Sequence, residues 1–296
     1  MSAFLLKLIA LLSMIVDHSG VVFQPLFDVP LYSLCRGIGR IAFPMFLFFI
    51  AEGCRRSHNI KLFILRLGIF ALISELPFDL ALAKYTSVPT NMLDFSAYNF
   101  SRYQNVFFTF FLGALCVYIY QTFKDGYNRL IYIVLIPIIV YCGDLFHTDY
   151  GSAGVLSVFI LYILPYGSRQ DGKPLQIDGS RQDGKPLQMS EKGKFYRIAA
   201  LFCLLIYLYI IKYNIGNMTQ ILSTGGFWAL LERLPQVLPE SDFKYMLFSC
   251  LSLVLLTFYN YKRGRPQRWL LYAANPVHLG ILGIVRYLYV LPKIAA

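Results

Sequence analysis

A lysine and a histidine in the first apolar segment have a spacing that lets both serve one site. Lys7 and His18 are separated by ten residues. Eleven steps along an α-helix make three turns plus about 20°, so both side chains lie on one face, about 16 Å apart along the axis. Histidine exchanges a proton near neutral pH. In the alternative interpretation, Lys7 reaches toward lipid headgroups and His18 only ends the helix.

Three charged residues are expected to lie near His18. Neighbours on a helix differ by about 100°, so Asp17 faces away from His18 and should pair with another helix. Arg36 and Arg40 lie four apart on one face of the next apolar segment, beside two glycines that permit close helix approach. We therefore predict a pair between Asp17 and one of these arginines. It could equally serve only to neutralise Asp17 and stiffen the bundle.

Other polar residues fall within or beside apolar segments, where ionisable groups are costly and mark functional sites. The candidate substrate-binding residues are Glu75, Asp79, Asn105, Asp144, Asp149 and Arg286 in the half of the bundle that contains His18, and His278 at mid-membrane. The two loop carboxylates, Asp144 and Asp149, could instead be solvated turn formers. Four basic residues cluster at the opposite ends of the helices: Arg55, Arg56, Lys61 and Arg66. This cluster could bind a phosphate-rich ligand, or it could simply reflect the positive-inside rule.

Composition places these residues in a membrane. Of the 296 residues, 57% are apolar and only 15% are charged, whereas soluble domains have about 25% charged residues. Disorder, collagen-like repeats and a soluble nucleic-acid binder are therefore excluded as first interpretations. We predict an all-α, polytopic integral membrane bundle that forms a single domain over residues 1–296. Its nine spanning helices are predicted at 1–22, 31–54, 61–83, 105–123, 130–146, 151–166, 195–214, 243–261 and 269–291.

Basic residues predict the orientation of the bundle. Sixteen of the 27 lysines and arginines lie in alternate loops, namely 55–61, 124–129, 167–197 and 262–268. Basic loops stay in the cytoplasm, so the N-terminus is predicted to be cytoplasmic and the protein to lie in the cell membrane. The net charge of +11 then reflects orientation rather than a nucleic-acid partner.

Two segments are predicted to lie outside the bilayer. The ten residues GSRQDGKPLQ at 167–176 recur unchanged at 179–188, which indicates a recent duplication or an engineered insert within a flexible cytoplasmic loop, 167–194. Residues 216–242 have the composition of an interfacial helix and loop on the outer face. The six cysteines show no metal-binding spacing and are expected to be reduced packing residues, and no metal site is predicted.

The chain resembles the TraX family of small bacterial membrane proteins. The motifs that carry the resemblance occur in order along nearly the whole chain, outside the insert at 167–194. They are Asp17–Gly20, Gly39–Pro44, Ala51–Gly53, Ser74–Asp79, Asn105–Thr109, Asp149–Gly151 and Pro276–Leu279.

This resemblance implies an acyl transfer. Members of the family are associated with N-acetylation of a conjugative pilin, and the family is similar to the transmembrane acyltransferases. Those enzymes take an acyl group from cytoplasmic acyl-CoA and modify an acceptor on the far face of the bilayer. Their first helix carries a basic residue and a catalytic histidine at the spacing of Lys7 and His18. Their arginine pair is separated by two residues, whereas Arg36 and Arg40 have three between them.

The roles that the resemblance implies are as follows. His18 would act as general base or acyl carrier, with Asp17 or another acid orienting its ring. Arg36 or Arg40 would stabilise an oxyanion or hold the pantetheine arm. The phosphates of acetyl-CoA would meet Lys7, Arg55, Arg56, Lys61 and Arg66. The acceptor would be a glycan, a wall polymer or a pilin-like protein at the outer face.

Two other functions remain open at the level of the sequence. A proton-coupled transporter or lipid flippase would also bury histidine, aspartate and arginine, but it would be expected to show internal repeats of helices, and the sequence shows none. A non-catalytic assembly or anchoring protein would not need Lys7 and His18 on one face.

Overall fold

The computed structural model describes residues 1–82, 103–125, 127–164, 191–212, 223, 225–226, 228, 240–262, 264–265 and 268–295. Within these ranges the regular structure is helical, and the one β-type contact is an isolated bridge between Gln104 and Thr148. The predicted all-α fold is therefore confirmed for the described residues. The duplicated segment at 167–188, and most of the predicted interfacial segment at 216–242, lie outside them.

Eleven α-helices follow one another along the described chain. They are α1 (Ala3–Val22), α2 (Val29–Gly39), α3 (Ala42–Arg56), α4 (Ile60–Leu82), α5 (Val106–Phe123), α6 (Arg129–Leu145), α7 (Gly151–Ile163), α8 (Glu191–Ile206), α9 (Glu240–Thr257), α10 (Arg268–Val285) and α11 (Leu291–Ala295). A short 3₁₀ turn at Gln24–Leu26 follows α1, and π-helical turns extend α8 (Tyr207–Lys212) and join α10 to α11 (Arg286–Val290).

The predicted span 31–54 is divided into two helices in the structure. The segment 31–54 was predicted as a single helix, but α2 and α3 are separated by a turn at Arg40 and Ile41. Pro44 explains the break, because a proline ring has no N–H and clashes with the carbonyl four residues earlier, which belongs to Arg40. At this turn the backbone N–H groups bond to the carbonyl three residues earlier instead of four. Arg40 N donates to the Gly37 carbonyl (3.0 Å) and Ile41 N to the Ile38 carbonyl (3.1 Å).

The helices have the length and the surface of a membrane protein. Four helical stretches among the described residues are long and apolar enough to cross a bilayer, judged by length and composition: Ala3–Val22, Val29–Arg56, Val106–Phe123 and Tyr272–Ile294. Large apolar side chains are exposed along whole helix faces, as on α9 at Leu247, Leu251 and Val254. In water such a continuous apolar face would be unfavourable, so it indicates contact with lipid.

Helix α1 is central to the bundle. It packs against α2, α3, α4 and α10. Its contact with α2 is close because two glycines lie in it: an added Cβ would lie 2.6 Å from Cys35 Cβ at Gly20 and 2.2 Å from Asp17 Cβ at Gly39. The close approach predicted at Gly39 is thus confirmed. All six cysteines carry free thiols, as expected.

Several segments predicted to be cytoplasmic meet at one end of the bundle. Ala3 N donates to the Lys262 carbonyl (2.9 Å), and Asn260 N donates to the Met1 carbonyl (2.9 Å). Arg56 Nη1 donates to the Tyr261 carbonyl (3.3 Å) on the same side. The N-terminus, the end of α3 and the segment after α9 therefore share one end of the molecule.

Candidate functional site

His18 lies against a second histidine that is 260 residues away in the chain. Near the end of α1, His18 Nδ1 is 2.7 Å from Nε2 of His278 on α10. The planes of the two rings are nearly parallel, inclined by 8°, and their centroids are 5.0 Å apart. His278 is buried and His18 is half-buried. The two imidazoles form one hydrogen-bonded unit inside the bundle.

The neighbouring carboxylate is held by an arginine rather than by the histidine pair. Asp17 Oδ2 accepts a hydrogen bond from Arg36 Nη1 at 2.7 Å, and the two side chains are 16% and 20% exposed. The predicted pairing of Asp17 with an arginine of the second segment is present in the structure. Arg40 turns toward α9, with its guanidinium 5.3 Å from the centre of the Tyr245 ring.

Asp149 and a small cavity adjoin Arg40. Asp149 is exposed in the turn before α7, close enough to Arg40 for the two charges to interact. The cavity is lined by Arg40, Phe43, Tyr150, Leu205, Leu208, Tyr209 and Ser249. Its polar wall is formed by Tyr209 Oη and Ser249 Oγ, which are 3.0 Å apart. Neither residue was predicted from the sequence, although both are polar groups within apolar segments.

Glu75 and Asn105 form a second polar contact, between α4 and α5. Asn105 Nδ2 donates to Glu75 Oε2 at 2.6 Å and to the Ala71 carbonyl at 2.8 Å. Asn105 Oδ1 also accepts from Phe107 N at 3.1 Å, so the residue caps the start of α5. The sequence correctly placed Glu75 and Asn105 at one level, and the structure adds that the amide serves the helix end as well.

The remaining predicted acceptor-binding residues have separate positions. Arg286 is buried and donates to the carbonyls of Leu80 (3.3 Å) and Ala81 (2.9 Å), which lie in the last turn of α4 and lack partners within the helix. Asp79 carries a buried carboxylate oxygen that has no hydrogen-bond partner among the described residues. Asp144 lies in the last turn of α6 and accepts from Ser152 N at 2.9 Å, so it joins the end of α6 to the first turn of α7.

The basic residues near the other end of the bundle mostly contact the protein itself. Arg55 is buried and donates to the carbonyls of Leu161 (3.3 Å) and Leu164 (3.0 Å) at the end of α7. Arg56 Nε is 3.0 Å from Glu52 Oε2. The fully buried Arg197 of α8, which sequence analysis did not single out, places Nη1 3.2 Å from Glu52 Oε1.

Three further cations of the predicted donor site are distributed over α1 and α4. Lys7 Nζ lies 5.1 Å from the centre of the Phe49 ring. Lys61 is exposed, with Nζ 5.7 Å from the centre of the Tyr118 ring. Arg66 is half-buried one turn further along α4. In the described part of the chain, no three histidine, cysteine or carboxylate side chains converge on a possible metal site.

Residues 2–170 match the family model for TraX protein. The chain belongs to the TraX family. It is also 34% identical over 119 residues to a protein named "Probable fimbrial assembly protein FimC, serogroup H1" from Dichelobacter nodosus. That alignment covers 40% of this chain and 46% of the relative, so the chain spans under half of the relative's length. No solved structure matches the chain.

The TraX match covers one part of the site. His18, Asp17, Arg36 and Arg40 lie within residues 2–170. Tyr209 and Ser249 of the cavity lie beyond them, as does the motif Pro276–Leu279, which contains His278. The candidate site of this TraX-family protein therefore combines residues inside the matched range with residues from the second part of the chain.

Proposed function

We propose that this TraX-family protein is a multi-pass acyltransferase of the cell membrane, with nine spans and a cytoplasmic N-terminus. It moves an acetyl group from cytoplasmic acetyl-CoA to an amine or hydroxyl of an acceptor at the outer face. The observation that carries the proposal is the position of His18. A ring-to-ring hydrogen bond to His278 holds it inside the bundle, beside the ion pair of Asp17 and Arg36.

His18 is proposed as the general base. Its Nε2 takes the proton from the acceptor N–H or O–H while the acceptor atom attacks the acetyl carbonyl carbon of the thioester. The new C–N or C–O bond forms and the C–S bond breaks. CoA leaves as a thiolate, which takes up a proton. The same position also suits an acyl-histidine intermediate, in which Nε2 attacks the carbonyl first and then passes the acetyl group on.

Arg40 is proposed to stabilise the oxyanion formed during attack. Arg36 is bonded to Asp17, whereas Arg40 adjoins the cavity next to Tyr209 and Ser249. A guanidinium directed at developing negative charge in a site of low dielectric lowers the barrier. Asp17 then has the separate role of fixing Arg36 next to the histidine pair.

The donor end is proposed to lie at the basic loops. Lys61 is exposed and therefore able to meet a CoA phosphate directly. Arg55 and Arg56 hold helix carbonyls and Glu52, so binding a phosphate would require them to exchange these partners. Lys7 lies deeper and would follow the pantetheine arm, and Arg66 would contribute positive charge on α4.

A pilin-like protein is the preferred acceptor. The relative from Dichelobacter nodosus carries the name of a probable fimbrial assembly protein. The TraX resemblance likewise implies acetylation of a pilin. Its free N-terminal amine would be the nucleophile, and glycan and wall-polymer hydroxyls are the other acceptors to be compared.

The test is acyl transfer by the purified protein in lipid nanodiscs. Labelled acetyl-CoA is supplied with a peptide bearing a free N-terminal amine, and labelled peptide and free CoA are measured. We expect His18→Ala to abolish transfer. The matched control is His147→Asn, because His147 is exposed and has φ 51°, a conformation that asparagine tolerates.

Three results would contradict the proposal. They are acetyl transfer that persists in His18→Ala, an equal loss in the His147→Asn control, and solute or lipid movement in proteoliposomes without any acetyl transfer. The last result would favour the transporter or flippase.

A further inference from the structure

We infer that His278 is a positioning residue that fixes the tautomer of His18 and leaves Nε2 of His18 as the proton acceptor. This inference rests on the proposed function, in which His18 is the base. The sequence predicts that His278 binds the acceptor, whereas in the structure its Nε2 lies 2.7 Å from Nδ1 of His18.

The direction of the hydrogen bonds starts at a backbone carbonyl. His278 Nδ1 lies 2.6 Å from the carbonyl oxygen of Ala274, one turn earlier on α10. A carbonyl oxygen only accepts hydrogen bonds, so Nδ1 of His278 carries the hydrogen. In a neutral imidazole the other nitrogen then holds the lone pair. The backbone of α10 therefore makes Nε2 of His278 an acceptor.

The same logic carries over to His18. Because Nε2 of His278 accepts, Nδ1 of His18 at 2.7 Å must donate. A neutral His18 with a hydrogen on Nδ1 has its lone pair on Nε2. The consecutive hydrogen bonds from the Ala274 carbonyl through His278 thus leave Nε2 of His18 unprotonated and able to take a proton.

Asp17, one of the acids that the family resemblance offers for orienting the ring, has a different partner. Its Oδ2 accepts from Arg36 at 2.7 Å, and its side chain packs on Gly39, where an added Cβ would lie 2.4 Å from Oδ1. The carboxylate is therefore directed toward α2. His278 takes the place that a carboxylate has in a Ser-His-Asp triad, where the third residue holds the histidine in the productive tautomer.

The pair also has a place for the proton that the reaction releases. When Nε2 of His18 accepts the proton, His18 becomes an imidazolium with hydrogens on both nitrogens. Its Nδ1 proton can then move over 2.7 Å to Nε2 of His278. The charge passes to His278, whose Nδ1–H stays bonded to the Ala274 carbonyl, and His18 returns to a neutral ring.

The direct test is ¹⁵N NMR of histidine-labelled protein in nanodiscs, which needs no substrate. The chain has four histidines, so single substitutions assign every ring. In the wild type we expect His18 to carry its hydrogen on Nδ1 and a lone pair on Nε2. A wild-type spectrum with the hydrogen on Nε2 of His18 would overturn the inference without bearing on acetyl transfer.

Two substitutions separate positioning from packing. His278→Phe keeps a flat ring against His18 but removes the acceptor, so we expect the second His18 tautomer to appear. The kcat for transfer should fall by about 10²–10⁴-fold with KM for acetyl-CoA little changed, as expected when a base loses its orientation. His278→Gln supplies an acceptor oxygen and should restore part of the kcat and the original tautomer.

The results distinguish this inference from the proposed function. A tautomer that changes in His278→Phe, in a protein without any acetyl transfer, would support the positioning of His18 and contradict the acyltransferase. Normal kcat in His278→Phe, in a protein that loses activity with His18→Ala, would overturn the positioning alone. If His278→Phe does not fold, the wild-type spectrum and His278→Gln decide.

Discussion

Arg36 joins α2 to α1 through a 2.7 Å ion pair with Asp17, the residue next to the proposed base. The pair lies beside Gly39, where the lack of a Cβ lets the two helices approach. One contact therefore fixes the position of α2 and keeps the Asp17 carboxylate off the His18 ring. Of the charged residues around His18, Asp17 and Arg36 hold two helices together, whereas Arg40 is the one proposed to take part in the chemistry.

The ion pair predicts coupling between its two residues. Asp17→Asn and Arg36→Gln should each lower stability in detergent, and the double variant should be more stable than the sum of the single losses predicts. For partly exposed side chains in contact, we expect a coupling free energy of about 0.5–3 kcal/mol. Chemical denaturation of the four proteins measures it, and purely additive losses would show that the pair contributes nothing.

Close packing at Gly39 predicts that even a methyl group is not tolerated there. Gly39→Ala would place Cβ 2.2 Å from Asp17 Cβ, so α2 must move away from α1. Overpacking of this kind costs about 1–3 kcal/mol, which a thermal unfolding scan in detergent detects. The matched control is Gly280→Ala, since nothing lies within 4 Å of the added carbon there. An equal effect at both positions would contradict the packing argument.

The buried arginine on α8 predicts a large effect of neutralising Glu52. Arg197 is fully buried and Glu52 is 4% exposed at the side chain. Removing the carboxylate charge with Glu52→Gln should destabilise the protein by about 3–5 kcal/mol, the usual cost of breaking a buried pair. Arg56→Gln is the control, because Arg56 is 35% exposed and its pair should contribute about 1 kcal/mol or less. Similar losses in both variants would contradict the ranking by burial.

The sequence located much of the site but not its connections. It identified His18, and the geometry of one helix was enough to turn Asp17 away from it, toward Arg36 or Arg40 of the next apolar segment. It also placed Glu75 and Asn105 at one level. It did not pair His18 with His278, since no local pattern relates side chains 260 residues apart. It likewise singled out Arg55 and Arg56 as basic residues. It did not predict that Arg55 donates to the carbonyls of α7 or that Arg56 pairs with Glu52.

By itself, the sequence determined that this protein is a bundle of apolar helices, because the length and hydrophobicity of each segment are local properties that the bilayer constrains. It also determined which polar residues are costly enough to matter. Only the tertiary structure decided their partners. A hydrogen bond between two helices depends on their rotation and relative height, and those are set by packing such as Gly39 against Asp17, which no single helix contains.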